Sequence, residues 1–230
     1  MQEKINAAPT VIYPESDGKP MAETEYHRDL MIDFIQMLKH YFRDVNDAYV
    51  SGNLLMYYEE GNIYKSVSPD VFVVFGVSKK RRRTYRTWEE GHTPDFVLEL
   101  ASKSTYRQDL TRKKDLYASI FGVREYYIYD PYHEVNPYFL GYRLVDGVYE
   151  EIAFVDERLP SLVLGLELGE HDGVFGLYDP EHSVWLQPLD RRVNQMEDQV
   201  KQETEARQRA EEELAKALAT LERLQGKSDA

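Results

Sequence analysis

The sequence predicts an α/β fold, a mixed β-sheet flanked by helices, followed by a long C-terminal helix. Three observations lead there. The apolar run DVFVVFGV (70–77) fits a strand buried on both faces of a sheet. Strand, helix and strand follow one another over 95–130, with a connection of about 20 residues, which is the pattern of a βαβ crossover. From 190 onward proline disappears, glycine nearly so, and apolar residues return at heptad spacing.

The elements follow in chain order. Residues 1–19 read as a poorly structured arm, with Pro9, Pro14 and the turn-like SDGKP. Pro20 suits the first position of a helix. Tyr26, Leu30, Phe34, Leu38 and Phe42 recur every four residues and predict an amphipathic helix over 21–42. AYVSGNLLMYYEE reads as one strand, DVFVVFGV and DFVLEL (95–100) as buried strands. Ser102 or Ser104 then caps a helix that runs to Phe121, with Gly122 as its C′ residue. EYYIYD (125–130) is the next strand. FLGYRLV, GVYEEIAFV, LPSLVLGLEL and VFGLYD read as short strands, hairpins that extend the sheet edge. The domains expected are therefore a flexible arm (1–19), an α/β domain (20–189) and a C-terminal coiled-coil helix (190–230).

In that last segment Val193, Met196, Val200, Ala210, Leu214, Ala217, Leu221 and Leu224 occupy a and d positions of one heptad frame, with Glu203 and Arg207 as polar interruptions. The spacing favours a coiled coil, and hence a homo-oligomer, a dimer paired through this helix. A charged helix lying along its own domain is the alternative.

Composition narrows the function. Hydrophobic residues make up 42% and charged residues 30%, the balance of an ordinary globular domain. No run of about 18 apolar residues occurs, so no membrane partner is expected, and the N-terminus has no apolar leader segment. The absence of cysteine removes disulfides and cysteine-ligated metals, and a cytoplasmic location is the default. The net charge of −13 argues against a tight phosphate-backbone binder overall, although Lys79, Lys80, Arg81, Arg82, Arg83 and Arg86 form a basic run. That run is either a solvated loop or a phosphate contact. Phosphate-loop, zinc-helix and nucleophile-elbow motifs are all missing.

The chemistry-bearing candidates are acids placed where acids are costly. Asp70 opens an apolar strand and Glu99 interrupts FVLEL. Strand alternation puts Asp95, Val97 and Glu99 on one face and Phe96, Leu98 and Leu100 on the other. Two acids on neighbouring strand ends supply hard oxygen donors suited to Mg²⁺ or Mn²⁺. The plainer alternatives are a turn residue for Asp70 and a structural salt bridge for Glu99. On the following helix Asp109, Lys113 and Tyr117 share a face, so Lys113 either reaches the acids or pairs with Asp109 on a solvated surface. Glu23 reads as a first-turn acid that could face the sheet, and His27 as a helix surface or boundary residue rather than a base.

SPDVFVVFGV, then TPDFVLELASKST, then DLTRKKDLYASIFGVREYYIYDP together resemble the Uma-type family of bacterial endonucleases, within the PD-(D/E)XK superfamily. The resemblance covers roughly 20–180 and implies a restriction-endonuclease-like fold. It also implies a Mg-dependent endonuclease that hydrolyses phosphodiester bonds, with DNA as the expected nucleic acid. It places the first acid on Asp70 and the second on Glu99. The usual lysine position, two residues after the second acid, is Ala101. The family's D-L-x-x-K pattern instead places the lysine on Lys113, with Lys114 as the lesser choice. A catalytically inactive nuclease fold that binds or regulates through its coiled coil is the rival expectation, and a purely structural oligomerisation protein is another.

Overall fold

The computed structural model describes residues 11–16, 18 and 24–225. Two compact units divide the chain, Met1–Leu186 and Gln187–Ala230.

The first unit is mixed α/β. Its chain order begins with α1 (Glu25–Tyr41), β1 (Ala48–Ser51), β2 (Met56–Tyr57), β3 (Ser66–Val67), β4 (Val71–Phe75), β5 (Tyr85–Arg86), α2 (Thr87–Glu90) and β6 (Phe96–Leu100). A helical crossover over 106–121 leads to β7 (Glu125–Tyr129). The remaining strands are β8 (Phe139–Val145), β9 (Val148–Glu151), β10 (Leu159–Ser161), β11 (Leu166–His171), β12 (Val174–Asp179) and β13 (Val184–Trp185). A six-stranded sheet in the order β1-β4-β6-β7-β8-β9 forms the frame. Within it β6 and β7 are parallel and joined by the helical crossover, whereas β4 and β6 are antiparallel. The sheet is thus mixed, as the strand–helix–strand spacing requires.

Thr24 caps α1 by accepting the His27 N–H, a standard N-cap arrangement. The buried face of α1, with Leu30, Phe34 and Leu38, packs on one side of the sheet beside Phe96, Leu98 and Leu100. The other side, with Phe72, Val74, Val97 and Tyr126, packs under the 106–121 helix through Tyr117 and Phe121. Both faces are covered, which explains why the central strands read as continuous apolar runs.

Three expectations need correction. AYVSGNLLMYYEE is not one strand. The chain leaves β1 at Gly52 and Asn53, and its next strand, β2, belongs to a separate three-stranded sheet β3-β2-β5. Close approach forces the break: a Cβ on Gly52 would stand 1.9 Å from the Asp70 carbonyl oxygen, and the Asn53 N–H donates to the Pro69 carbonyl at 2.8 Å. The late strands do not all extend one edge. The β8–β9 hairpin does, but β10–β13 form their own four-stranded sheet. Finally, Ser102 and Ser104 do not cap the helix. Residues 102–105 form a turn in which the Ser102 carbonyl accepts the N–H groups of Thr105 and Tyr106, and the helix begins at Tyr106. Its far end is as expected, with Gly122 at φ 62° in the left-handed conformation.

Gly52→Ala tests the close approach directly. The added methyl must displace the backbone of Asp70, so stability should fall by about 1–3 kcal/mol, the usual cost of overpacking. Urea denaturation measures it, and a change under ~0.5 kcal/mol, the range of neutral surface substitutions, would contradict the packing described.

The second unit is a helix, Leu189–Gln225, preceded by a short connection. Of its heptad residues, Val193, Met196, Val200 and Leu214 are exposed. The side chains of Leu221 and Leu224 lie outside the described residues, as do residues 1–10 of the arm, Pro20 and Glu23.

Candidate active site

Strand register brings the acids together. The β4–β6 pairing runs Val73↔Phe96, Phe72↔Val97, Val71↔Leu98, so one further step sets Asp70 opposite Glu99. Directly opposed residues of an antiparallel pair project on the same face, with Cβ atoms about 4.5–5.5 Å apart. That face is the one under the 106–121 helix, since Phe72 and Val97 belong to the core on that side. The Asp70 carboxylate is held by the Leu100 N–H, which donates to Oδ2 at 2.8 Å. His27 on α1 places its Nε2 3.6 Å from the same oxygen.

The helix contributes the cation. Its turns Asp109–Lys113 and Tyr117–Phe121 are wound as π-helix, separated by a short α-helical stretch. Wider π turns offset the angular drift that 3.6-residue turns would accumulate over eight residues. Asp109, Lys113 and Tyr117 therefore stay in one column, and that column faces the sheet. Lys113 Nζ lies 2.9 Å from Glu99 Oε2 and 2.8 Å from Asp109 Oδ1. The Tyr117 hydroxyl donates to Glu99 Oε1 at 2.6 Å. The two alternatives for Lys113 are thus both realised: it pairs with Asp109, but inside the protein, and it reaches Glu99. Both acids are only 1% exposed, and the lysine side chain is 23% exposed.

Other buried acids here are satisfied differently. Glu125 accepts from Arg143, Ser161 and the Leu162 N–H. Asp130 accepts three backbone N–H groups of the turn after β7. Glu99 Oε2 and Asp109 Oδ1, by contrast, gain no well-formed hydrogen bond and rely on the ammonium of Lys113. Three acids, Asp70, Glu99 and Asp109, surround one lysine, so the group carries excess negative potential. Burial, reinforced by Asp70 and Asp109, pushes the Glu99 carboxyl up to about 8 against the pull of Lys113. Asp109 also shifts up, chiefly by burial. Lys113 is held firmly cationic, because the surrounding carboxylates outweigh the cost of its burial.

Such a site fits a divalent cation. Asp70 and Glu99 offer hard oxygens on one face, and Glu99 Oε2 lacks a proton donor of good geometry. Among the described residues no group of three or more His, Cys, Asp or Glu forms a cage. Asp70 and Glu99 are the residues that could hold such an ion, with Lys113 already against Glu99 Oε2.

Two clefts open onto the cluster, of about 640 and 470 Å³, and both are lined by Thr105 and Lys113. Asp70 and His27 line the smaller, and Gln108, Arg112, Tyr57 and Tyr64 the larger. The chain belongs to a known family. A family model described as "Uma2: Putative restriction endonuclease" matches residues 5–170, most of the chain. No curated protein matches. Among solved structures, a "putative nuclease belonging to DUF820 from Anabaena variabilis ATCC 29413" matches at 16% identity and a TM-score of 0.46, covering 64% of this chain and 76% of that one.

The sequence did not single out Asp109 as buried; His27, read as a helix surface or boundary residue, is a boundary residue in the first turn of α1, its side chain 13% exposed beside Asp70. Tyr26, used to set the helical stripe, is itself exposed, so the stripe is rotated toward Met31 and Met37. The basic run is largely engaged within the protein. Lys79 donates to the carbonyls of Phe42 and Arg43 at the end of α1, and Lys80 and Arg82 pair with Glu90. Arg83 pairs with Glu15 and Arg86 with Glu89. Lys114 sits over the Tyr142 ring at 3.5 Å, away from the acids.

Proposed function

We propose that this chain is a metal-dependent endonuclease that hydrolyses phosphodiester bonds, with DNA as substrate and Mg²⁺ or Mn²⁺ held by Asp70 and Glu99. Membership of the Uma2 family supports a nuclease. The observation that carries the rest is the pair of opposed strand acids with Lys113 between Glu99 and Asp109. A purely structural salt bridge needs one acid per lysine. Three acids around one cation leave room for a further positive charge.

In this reading a bound ion supplies Lewis-acid charge neutralisation at the phosphate. The chain's own residues do the remainder. Asp109 and Glu99 fix the Lys113 ammonium at the mouth shared by the two clefts. There it can orient the attacking water and face the charge that builds on the phosphate oxygens. Tyr117 holds the Glu99 carboxylate in one rotamer, and the Leu100 N–H does the same for Asp70. The water oxygen bonds to phosphorus, one P–O ester bond breaks, and the products are a phosphomonoester and a hydroxyl. Arg112, on the larger cleft, is placed to meet a neighbouring phosphate.

The test is cleavage of supercoiled plasmid, linear duplex and single-stranded DNA, and RNA, with Mg²⁺, Mn²⁺ or chelator. Metal-dependent cutting of DNA is the expected result. Absence of cutting with every substrate would favour the inactive-fold rival, and cutting in chelator would remove the metal from the account.

A further inference from the structure

The C-terminal helix carries its own pairing code. Its exposed apolar residues Val193, Met196, Val200 and Leu214 form a seam, with Ala210 and Ala217 on the same heptad frame. In proteins most helical stability comes from packing an apolar face of this kind rather than from propensity. Its internal ion pairs, Arg207 with Glu211 at 2.8 Å and Arg209 with Glu205 at 3.5 Å, are exposed and weak. Two seam positions are charged, Glu203 at d and Arg207 at a.

Those charges distinguish the two ways a second copy can pair. In a parallel, in-register pair each layer sets a residue against itself. Arg207 would meet Arg207 and Glu203 would meet Glu203, like charges confronted inside the seam. In an antiparallel pair a residues face d residues of the other helix. Centred on Glu205, that arrangement sets Glu203 of each copy against Arg207 of the other. The same register matches large with small: Val200 faces Ala210 and Val193 faces Ala217, while Met196 faces Leu214. Every layer is then apolar or oppositely charged. Its one unfavourable feature is at the rim, where Glu197 approaches Glu211 of the second copy. Exposed rim charges are screened by solvent and salt, whereas seam charges are not.

We propose that the chain forms a homodimer through an antiparallel pairing of residues 193–217, with Glu203 and Arg207 as the residues that set its direction. They are orientation determinants, not defects in the seam. The pairing places the two Leu189 ends about 50 Å apart, by the ~1.5 Å rise per residue, so the two nuclease domains start from opposite ends of the helix pair. The inference does not depend on catalysis.

The absence of cysteine makes the test clean. Val200→Cys and Ala210→Cys are made separately in the full chain, and labelling with a mono-maleimide verifies that each thiol reacts. Each variant alone, and their mixture after exchange, is treated with a short bis-maleimide at dilute protein concentration. In the antiparallel register residue 200 lies beside residue 210 of the other copy, while the two 200 positions are ~15 Å apart. A covalent dimer in the mixture, with none in either variant alone, is expected, together with a dimeric mass for the unmodified protein by light scattering. Self-linking of Val200→Cys would show parallel pairing and overturn the proposal. A monomeric mass, or a dimeric mass with no link in the mixture, would overturn it equally.

Discussion

Lys113→Ala is expected to lower the rate of DNA cleavage by about 10²–10³, the usual cost of losing one preorganised charge at a transition state. Metal binding should survive, because an ammonium is not a ligand. The ammonium lies within 3 Å of both Glu99 and Asp109, so its removal also leaves two buried acids uncompensated. The variant should lose about 3–5 kcal/mol of stability in chelator, and part of that loss should return with Mn²⁺. Circular dichroism at the assay temperature separates lost chemistry from lost fold. Lys113→Arg should not rescue cleavage, since a planar guanidinium cannot occupy the place of a compact ammonium between two carboxylates. Lys114→Ala is the internal control. Its Nζ rests 3.5 Å from the Tyr142 ring centroid, and the change should cost ~0.5–1 kcal/mol with turnover unaltered. Wild-type turnover in Lys113→Ala would remove the lysine from the mechanism.

Glu99→Gln should move activity and stability in opposite directions. Cleavage should fall by at least ~10³, because the substitution removes a metal ligand and the charge partner of Lys113. The folded, metal-free protein should become more stable at pH 8. Burial raises the Glu99 carboxyl to about 8 from its ordinary 4.5, so between those values the folded state binds more protons than the unfolded one. Stability of the wild type in chelator should therefore be fully present below about 4.5 and decline as pH rises to about 8, by at most ~1.4 kcal/mol per pH unit. Gln carries no proton to lose, so its profile should be flatter over that window and ~1–3 kcal/mol higher at the top. Chemical denaturation at several pH values measures both. Identical pH profiles for the two proteins would show that Glu99 is fully compensated when ionised.

Much of this arrangement is legible in the sequence because strands and helices have fixed periods. Alternation along FVLEL places Val97 and Glu99 away from Phe96 and Leu98, and the structure puts Val97 in one core and Phe96 and Leu98 in the other. Spacing of four and eight residues places Asp109, Lys113 and Tyr117 on one helix face. What periodicity does not carry is which face turns inward. The D-L-x-x-K run is as polar as any solvated helix, and only the three-acid cluster makes burial of Lys113 tolerable. The break after Ser51 was equally hidden. It depends on the close approach of Gly52 to Asp70 across the sheet, a contact between residues distant in sequence. The fate of the basic run was hidden for the same reason, since Glu15, Glu90 and the end of α1 reach it only in three dimensions.

Calorimetric titration of the metal-free protein with Mn²⁺, set beside the Asp70→Asn variant, is the most direct test of the proposed centre. Asp70 is anchored by the Leu100 N–H at 2.8 Å and stands opposite Glu99 in the strand register. The amide keeps the shape and the hydrogen bond but loses the charge. One site per chain is expected for the wild type, and no measurable binding for Asp70→Asn, with both proteins equally folded. Equal Mn²⁺ binding by the two, or none by the wild type, would contradict a metal centre built on Asp70 and Glu99.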